Sequence, residues 1–370
     1  MNSKERILLA LNHQEPDRVP MAASFTSEFA QRLQKYLGLP QTSIKPHDKR
    51  INHDIEVTLG LDIIQYSVGI VTSYYASEED EYTCEWGIKW RQAKYNTRFG
   101  EGKYPEMIEH PLSDDYKIKK YISPDPYREV LYKPLERILD MYGEEFCIMG
   151  VVVCTVFEGG WYLRGMEKLL VDMLINKKIA NYILDIPFKY HLEVAKRLVQ
   201  MGIDIIWLGD DVGSQRTMLM SPKLWRKYLK PRMSIICQEL KKINPSLKIA
   251  YHSDGYIYPI IDELIEIGID VLNPIQPQSM DPLYLKKRYG NKLSFWGSLD
   301  EQYTLPFGTS EEVKKEVIER IRTIAPGGGF IISPCQHVQL DTPLENFMTF
   351  INTVKEYGKY PVRLLNFTQK

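Results

Sequence analysis

The strongest constraint on this chain is a rhythm. From about residue 125 onward, short apolar runs alternate with amphipathic stretches of helical period. The runs are Phe146–Thr155, Asp204–Leu208, Lys248–His252, Asp270–Asn273, Leu293–Trp296 and Gly329–Ser333. Most are nearly continuous in apolar residues, the pattern of strands buried on both faces. Helices are expected between them: Tyr127–Tyr142, a long stretch from Leu163 to Met201 broken near Pro187, one opening at Ser221-Pro222, then Tyr258–Ile267, Asp281–Tyr289, Ser310–Ile324 and Leu344–Tyr357. Strictly alternating β and α units imply a parallel sheet. Two earlier strands, Arg18–Ser24 and Asp62–Val68, bring the count to about eight, which predicts a closed (β/α)8 TIM barrel rather than an open doubly wound sheet. No Gly-x-Gly-x-x-Gly follows the first strand, so a dinucleotide-binding fold loses support.

One region breaks the rhythm. Glu81–Arg91 alternates large and polar residues at period two, and Gly100 and Gly102 offer a tight turn. This predicts a β-hairpin inserted into the barrel near residues 80–110. No repeat and no long linker divides the chain, so residues 1–370 are expected to form a single domain.

Composition excludes several classes of function. With 47 basic against 48 acidic side chains the net charge is −1, too weak a field to gather phosphates, so no nucleic-acid partner is expected. Hydrophobic residues at 44% and charged residues at 26% exclude intrinsic disorder. No apolar run approaches the roughly 20 residues that cross a bilayer, and Met1–Arg18 is charged throughout. A cytoplasmic protein without membrane contact is the expectation. Five scattered cysteines do not make a disulfide scaffold. The 24 Tyr and 6 Trp are a heavy load of aromatics with a polar handle, suited to a wet binding cleft. On the hairpin, Trp86, Trp90 and Tyr95 either cover such a cleft or simply pack on the barrel.

In barrels of this kind the site is built from residues just after each strand. Here those positions read Phe157-Glu158-Gly-Gly-Trp161-Tyr162, Gly209-Asp210-Asp211-Val-Gly-Ser-Gln215, His252-Ser-Asp254-Gly255, Asn273-Pro-Ile-Gln276, Trp296-Gly-Ser298-Leu-Asp300 and Ser333-Pro-Cys335-Gln-His337. So many acids, amides, His and Cys at consecutive strand ends point to an enzyme. His252, Asp254 and Cys335 offer a nitrogen, an oxygen and a sulfur, a three-ligand set for catalytic zinc. His337 and Cys154 are spare ligands. The bland readings stay open: Cys335 as a buried small hydrophobe, and His252–Asp254 as a hydrogen-bonded pair. Adjacent Asp210 and Asp211 cannot point the same way. One would face the cavity while the other caps the loop or pairs with a cation. A cavity-facing Asp211 could accept a proton, bind substrate or add a metal ligand, and Glu158 has the same options. The glycines after Glu158 permit a close approach of substrate. Trp161, Tyr162, Gln215 and Gln276 are candidate substrate contacts, and Arg164 either binds a carboxylate or holds a loop acid.

These residues carry a resemblance. Glu5–Pro20, Gly209–Gln215, His252–Gly255, Asn273–Pro277, Phe295–Asp300, Gly327–Cys335 and Asp341–Asn346 resemble, in order, the motifs of the uroporphyrinogen decarboxylase superfamily. The resemblance implies a (β/α)8 barrel. It also separates two branches. True decarboxylases resemble one another in a Met-Arg-Gln-Ala-Gly-Arg segment whose arginines meet the substrate's carboxylates. Pro20-Met-Ala-Ala-Ser-Phe25 stands there in this chain, with no arginine.

The corrinoid-linked methyltransferase branch binds zinc through a His-x-Cys pair and a later Cys, positions that correspond to His252, Asp254 and Cys335. Asp254 departs from that pattern. One thiolate fewer leaves zinc a stronger Lewis acid, suited to an ether oxygen that must leave. The resemblance therefore implies an O-demethylating methyltransferase, with Zn2+ and with cobalamin carried by a partner corrinoid protein. Its methyl donor is expected to be a methoxylated aromatic, walled by Trp86, Trp90, Trp161 and Tyr162. Asp211 or Glu158 would position substrate or handle a proton. The same Asp254 also fits a chain that has lost its metal, and the alternative function is a metal-free decarboxylase or lyase on a carboxylated substrate. A homo-oligomer is compatible with the resemblance, although no stretch of sequence marks an interface.

Overall fold

The computed structural model describes residues 1–362. Ten strands are present among the described residues: β1 (Ile63–Ser67), β2 (Glu81–Thr83), β3 (Lys89–Thr97), β4 (Gly100–Glu109), β5 (Cys147–Val151), β6 (Ile205–Gly209), β7 (Lys248–His252), β8 (Val271–Asn273), β9 (Ser294–Leu299) and β10 (Phe330–Pro334). Seven of them pair in parallel in the order β1-β5-β6-β7-β8-β9-β10. Every residue of β5, β6, β9 and β10 is buried, because a strand between neighbours with a helix outside has no wet face.

The segment read as the first strand lies between the two edges of this sheet. The Ala22 amide donates to Ile332 O (3.1 Å), the Ile332 amide to Pro20 O (2.9 Å), and the Asp62 amide to Met21 O (2.9 Å). Along it only isolated bridges form, antiparallel at Arg18–Lys359 and parallel at Met21–Ile332 and Phe25–Val338. Pro20 has no N–H to give to a ladder. The architecture is thus a curled, TIM-barrel-like parallel sheet whose eighth position holds an irregular segment.

Three sequence expectations are corrected. The helical stretch after residue 157 breaks at Gly165 and Asn176 rather than at Pro187, giving helices Phe157–Arg164, Met166–Ile175 and Lys177–Gln200. Pro187 is accommodated inside the last of these. Residues 81–109 form a three-stranded antiparallel sheet, β2-β3-β4, rather than a two-stranded hairpin. Third, the glycines after Glu158 serve packing, not substrate approach: a Cβ on Gly159 would lie 2.6 Å from Pro187 Cβ, and one on Gly160 would lie 3.0 Å from Leu184.

The β2-β3-β4 sheet is tied across the molecule. Its turn residue Arg98 donates from Nη2 to Pro306 O at 3.3 Å, and the Lys103 amide donates to Glu28 Oε1 at 2.9 Å. That position brings Trp90, Tyr104, Pro105 and Met107 over a cavity floored by Trp207 of β6 and by Val153 just past β5.

Candidate active site

β6 and β7 supply the centre of the site. Gly209 ends β6 with φ 131°, and a Cβ there would stand 2.2 Å from His252 O. Only glycine lets the two strand ends approach so closely. The following acids then diverge. Asp210 turns inward, where its Oδ1 accepts from the Val156 and Glu158 amides, both at 2.9 Å. It caps the helix Phe157–Arg164 from a neighbouring strand. Burial pushes its carboxyl up to about 7, against those N–H donors, which favour the charged form. Asp211 faces the cavity.

Asp211 and His252 approach at 3.5 Å, and the Asp254 amide donates to Asp211 Oδ1 at 2.8 Å. One ligand atom from each of Asp211, His252 and Asp254 lies within 4.8 Å of the others. Supporting contacts orient these groups. His252 Nδ1 meets Asn273 Oδ1 at 2.7 Å; an amide oxygen can only accept, so Nδ1 carries a proton and, in the neutral ring, Nε2 keeps its lone pair. Gln336 Nε2 donates to Asp254 Oδ2 at 2.7 Å, while Asp254 Oδ1 is buried without a partner. Burial and the Asp211 charge push the Asp254 carboxyl up to about 6, against His252 and Gln336. Burial would lower the His252 pKa, but the charges of Asp211 and Asp254 and the Asn273 bond raise it.

Glu158 completes an acidic wall. Its Oε2 accepts from the Asp211 amide at 2.9 Å and its Oε1 from Tyr162 Oη at 3.1 Å. Burial first, then the charges of Asp211 and Asp210, hold this carboxyl well above the ordinary range. Among the described residues no Lys or Arg pairs with Glu158, Asp210, Asp211 or Asp254; the one ionic contact is His252 with Asp211. An uncompensated acid cluster with an orphaned carboxylate oxygen and an imidazole lone pair is a chemically sound cation site. The donor set fits zinc.

Asp211 and His252 open onto a cavity of about 300 Å³ walled by Tyr74, Trp90, Met107, Trp161, Tyr162 and Trp207. No Lys or Arg lines it. Two expected contacts are corrected. Trp86 is buried away from this cavity, against Tyr190 at a ring separation of 4.7 Å, and anchors the antiparallel sheet to the long helix. Arg164 is 2% exposed and bonded to Asp172 (2.8 Å) and Asp115 (2.7 Å), so it ties together acids of two neighbouring helices.

Other candidates fall elsewhere. Gln215 and Gln276 line a separate polar pocket with Asp254, Glu301 and Cys335. There Gln215 accepts from Ser279 and Gln276 accepts from the Gly255 amide. Cys335 is buried, its Sγ 3.8 Å from Ile275 O. It is not in the Asp211–His252–Asp254 group, and burial, then Glu301, raises its thiol pKa. Cys154 and His337 both line the aromatic cavity. Sequence reasoning missed His47, Tyr74 and Met107. His47 sits on a segment without regular structure, where no periodicity marks a direction. Trp207 was visible only as a strand residue, and Asn273 only as a polar strand end.

Fold and cluster define a parallel α/β barrel carrying a carboxylate–imidazole centre at the carboxyl ends of its strands. The profile of the family "Uroporphyrinogen decarboxylase (URO-D)" matches residues 94–357, and the chain belongs to that family. It is similar to a methylated-thiol–coenzyme M methyltransferase of Methanosarcina mazei, 24% identical over 195 residues, covering 53% of this chain. The matched part spans 49%, about half, of that relative's length. It is also similar to a uroporphyrinogen decarboxylase of Psychromonas ingrahamii, 21% identical over 279 residues, covering 70% of this chain and 73% of the relative. The fold matches a solved structure described as a methyltransferase from Methanosarcina mazei, with TM-score 0.69, 19% identity and coverage of 96% and 99% of the two chains.

Proposed function

We propose that this protein is a zinc-dependent methyltransferase that takes a methyl group from an O-methyl compound, a methoxylated aromatic, and passes it to cob(I)alamin on a partner corrinoid protein. One observation carries the reading. An acid–imidazole centre with an orphaned carboxylate oxygen opens onto an aromatic cavity that no Lys or Arg lines.

His252 and Asp254 would hold the metal, with Asp211 as the third ligand favoured by distance and Cys335 as the competing one. The chemistry a bound zinc supplies here is Lewis acidity toward an ether oxygen. Asn273 keeps the Nε2 lone pair of His252 available, and Gln336 fixes one oxygen of Asp254 so that the other stays free. Trp161, Tyr162, Trp90 and Trp207 hold the ring and exclude water. Glu158, whose carboxyl is pushed upward by burial and by Asp211, accepts a hydrogen bond from Tyr162 and would pass a proton toward the departing oxygen. The corrinoid supplies the nucleophile, so no Ser or Cys nucleophile is required.

The competing reading, metal-free decarboxylation of a carboxylated substrate, needs cations to receive carboxylates. This cavity lacks them. The test combines metal analysis with methyl transfer to reduced cobalamin from a panel of methoxylated aromatics. We expect close to one equivalent of zinc, lost with transfer in His252→Ala. Under a tenth of an equivalent, together with unchanged activity in His252→Ala, would sink the reading. Zinc retained in Cys335→Ser assigns the third ligand to Asp211.

A further inference from the structure

His47 and His337 stand on the wall of the same cavity, and neither belongs to the acid cluster. Their Nε2 atoms lie 3.1 Å apart with the rings edge to face, and His337 Nδ1 meets Ser24 Oγ at 2.7 Å. Each neutral imidazole has one donor and one acceptor nitrogen. Either direction of the chain Ser24–His337–His47 is therefore allowed, and its free end is His47 Nδ1. That atom is buried without a partner, in a side chain 8% exposed. A buried polar atom left unsatisfied calls for an occupant.

The indole of Trp207 links this pair to the acid cluster. Its centroid lies 6.2 Å from that of His47 and 5.3 Å from that of His252. An aromatic ring lying against Trp207 would present one substituent to His252 and another to His47. Because no Lys or Arg lines the cavity, an anionic substituent at His47 would be buried with no cationic side chain to compensate it. An uncharged hydroxyl satisfies a free nitrogen in either tautomer.

We propose that the Ser24–His337–His47 chain, ending on His47, selects substrates that carry a ring hydroxyl besides the methyl ether. This rests on the aryl-ether reading above, and the test separates the two. Calorimetry on the full chain would use para-methoxyphenol, para-methylanisole and para-methoxybenzoate. The wild type is expected to bind para-methoxyphenol at least about tenfold more tightly than either of the others, the scale of one buried hydrogen bond. His47→Phe should reduce that preference to under about twofold.

His47 has φ 54°, a conformation His tolerates better than Phe, so Ser24→Ala serves as a second variant. It cuts the far end of the chain and should lower the preference about threefold without touching the ligand. Preference retained in both variants, or tightest binding of the carboxylate, would overturn the site. Discrimination without methyl transfer from any aryl ether overturns the aryl-ether reading and leaves the site. Methyl transfer without discrimination does the reverse, and failure of all three probes to bind overturns both.

Discussion

The two ends of the barrel treat strand-end carboxylates in opposite ways. At the amino ends of the strands, Asp62 precedes β1, Asp204 precedes β6 and Asp270 precedes β8. Each accepts an amide from an adjacent segment, Met21, Ile148 and Ile249 respectively, at 2.8–2.9 Å. Each also has a cation: Arg6 and Arg18 on Asp62 at 2.7 Å, Lys4 on Asp204 at 3.0 Å, Lys241 on Asp270 at 2.8 Å. At the carboxyl ends, Glu158, Asp210, Asp211 and Asp254 have amide donors or amide side chains, and no Lys or Arg partner among the described residues. The lower acids are locks that the chain completes itself. The upper ones are left for something from outside, a cation or a proton, which is how a barrel separates stability from chemistry.

The most severe way to break the contrast is at Asp62. Asp62→Ala leaves two arginines facing each other without their shared carboxylate, and should cost about 3–5 kcal/mol in denaturant unfolding. A loss under 1 kcal/mol would remove the distinction between the two ends.

A second test uses pH, because the two ends have opposite signs. Asp210 is raised to about 7 from an ordinary 3.8. The folded state then binds the extra proton, so this group's stabilisation falls as pH rises from about 4 to about 7, by on the order of 2–4 kcal/mol. Asp17 at the lower end is held below its ordinary value by its hydrogen bond to Arg6, against burial. Its contribution is present above an ordinary carboxylate pKa and lost as pH falls. Metal-free protein should show both slopes; Asp210→Asn should reduce the first alone and Asp17→Asn the second alone.

Zinc should stabilise the protein by about 2.7 kcal/mol at a hundredfold excess over its Kd, read as a rise in Tm. His252→Ala should abolish the rise, and Asp62→Ala should retain it despite the lower starting Tm. The smallest effect is expected at Lys241, whose partly exposed pair with Asp270 should contribute about 0.5–1 kcal/mol and fade with salt.

Much of the barrel was legible because period and position are local properties. Continuous apolar runs can only be interior strands, and Asp211, His252 and Asp254 announce themselves as polar residues immediately after such runs. Arg164 and Trp86 show the limit. Residue type marks Arg164 as an anion binder, but nothing in the local sequence reveals that Asp115 and Asp172 already occupy it. Trp86 has the composition of a cleft wall and the surroundings of a core residue.

What the sequence determined by itself is the order of strands and helices, the family, and which strand ends carry acids, amides and imidazoles, since these are written in consecutive residues. Only the tertiary structure decided which groups share a site. It brought Asp211 within ligand distance of His252 and Asp254, gave Asp210 a helix to cap, and brought His47 against His337 from 290 residues away. The reason is physical: ligand geometry and charge compensation depend on distances across the barrel, and adjacency along the chain does not specify those distances.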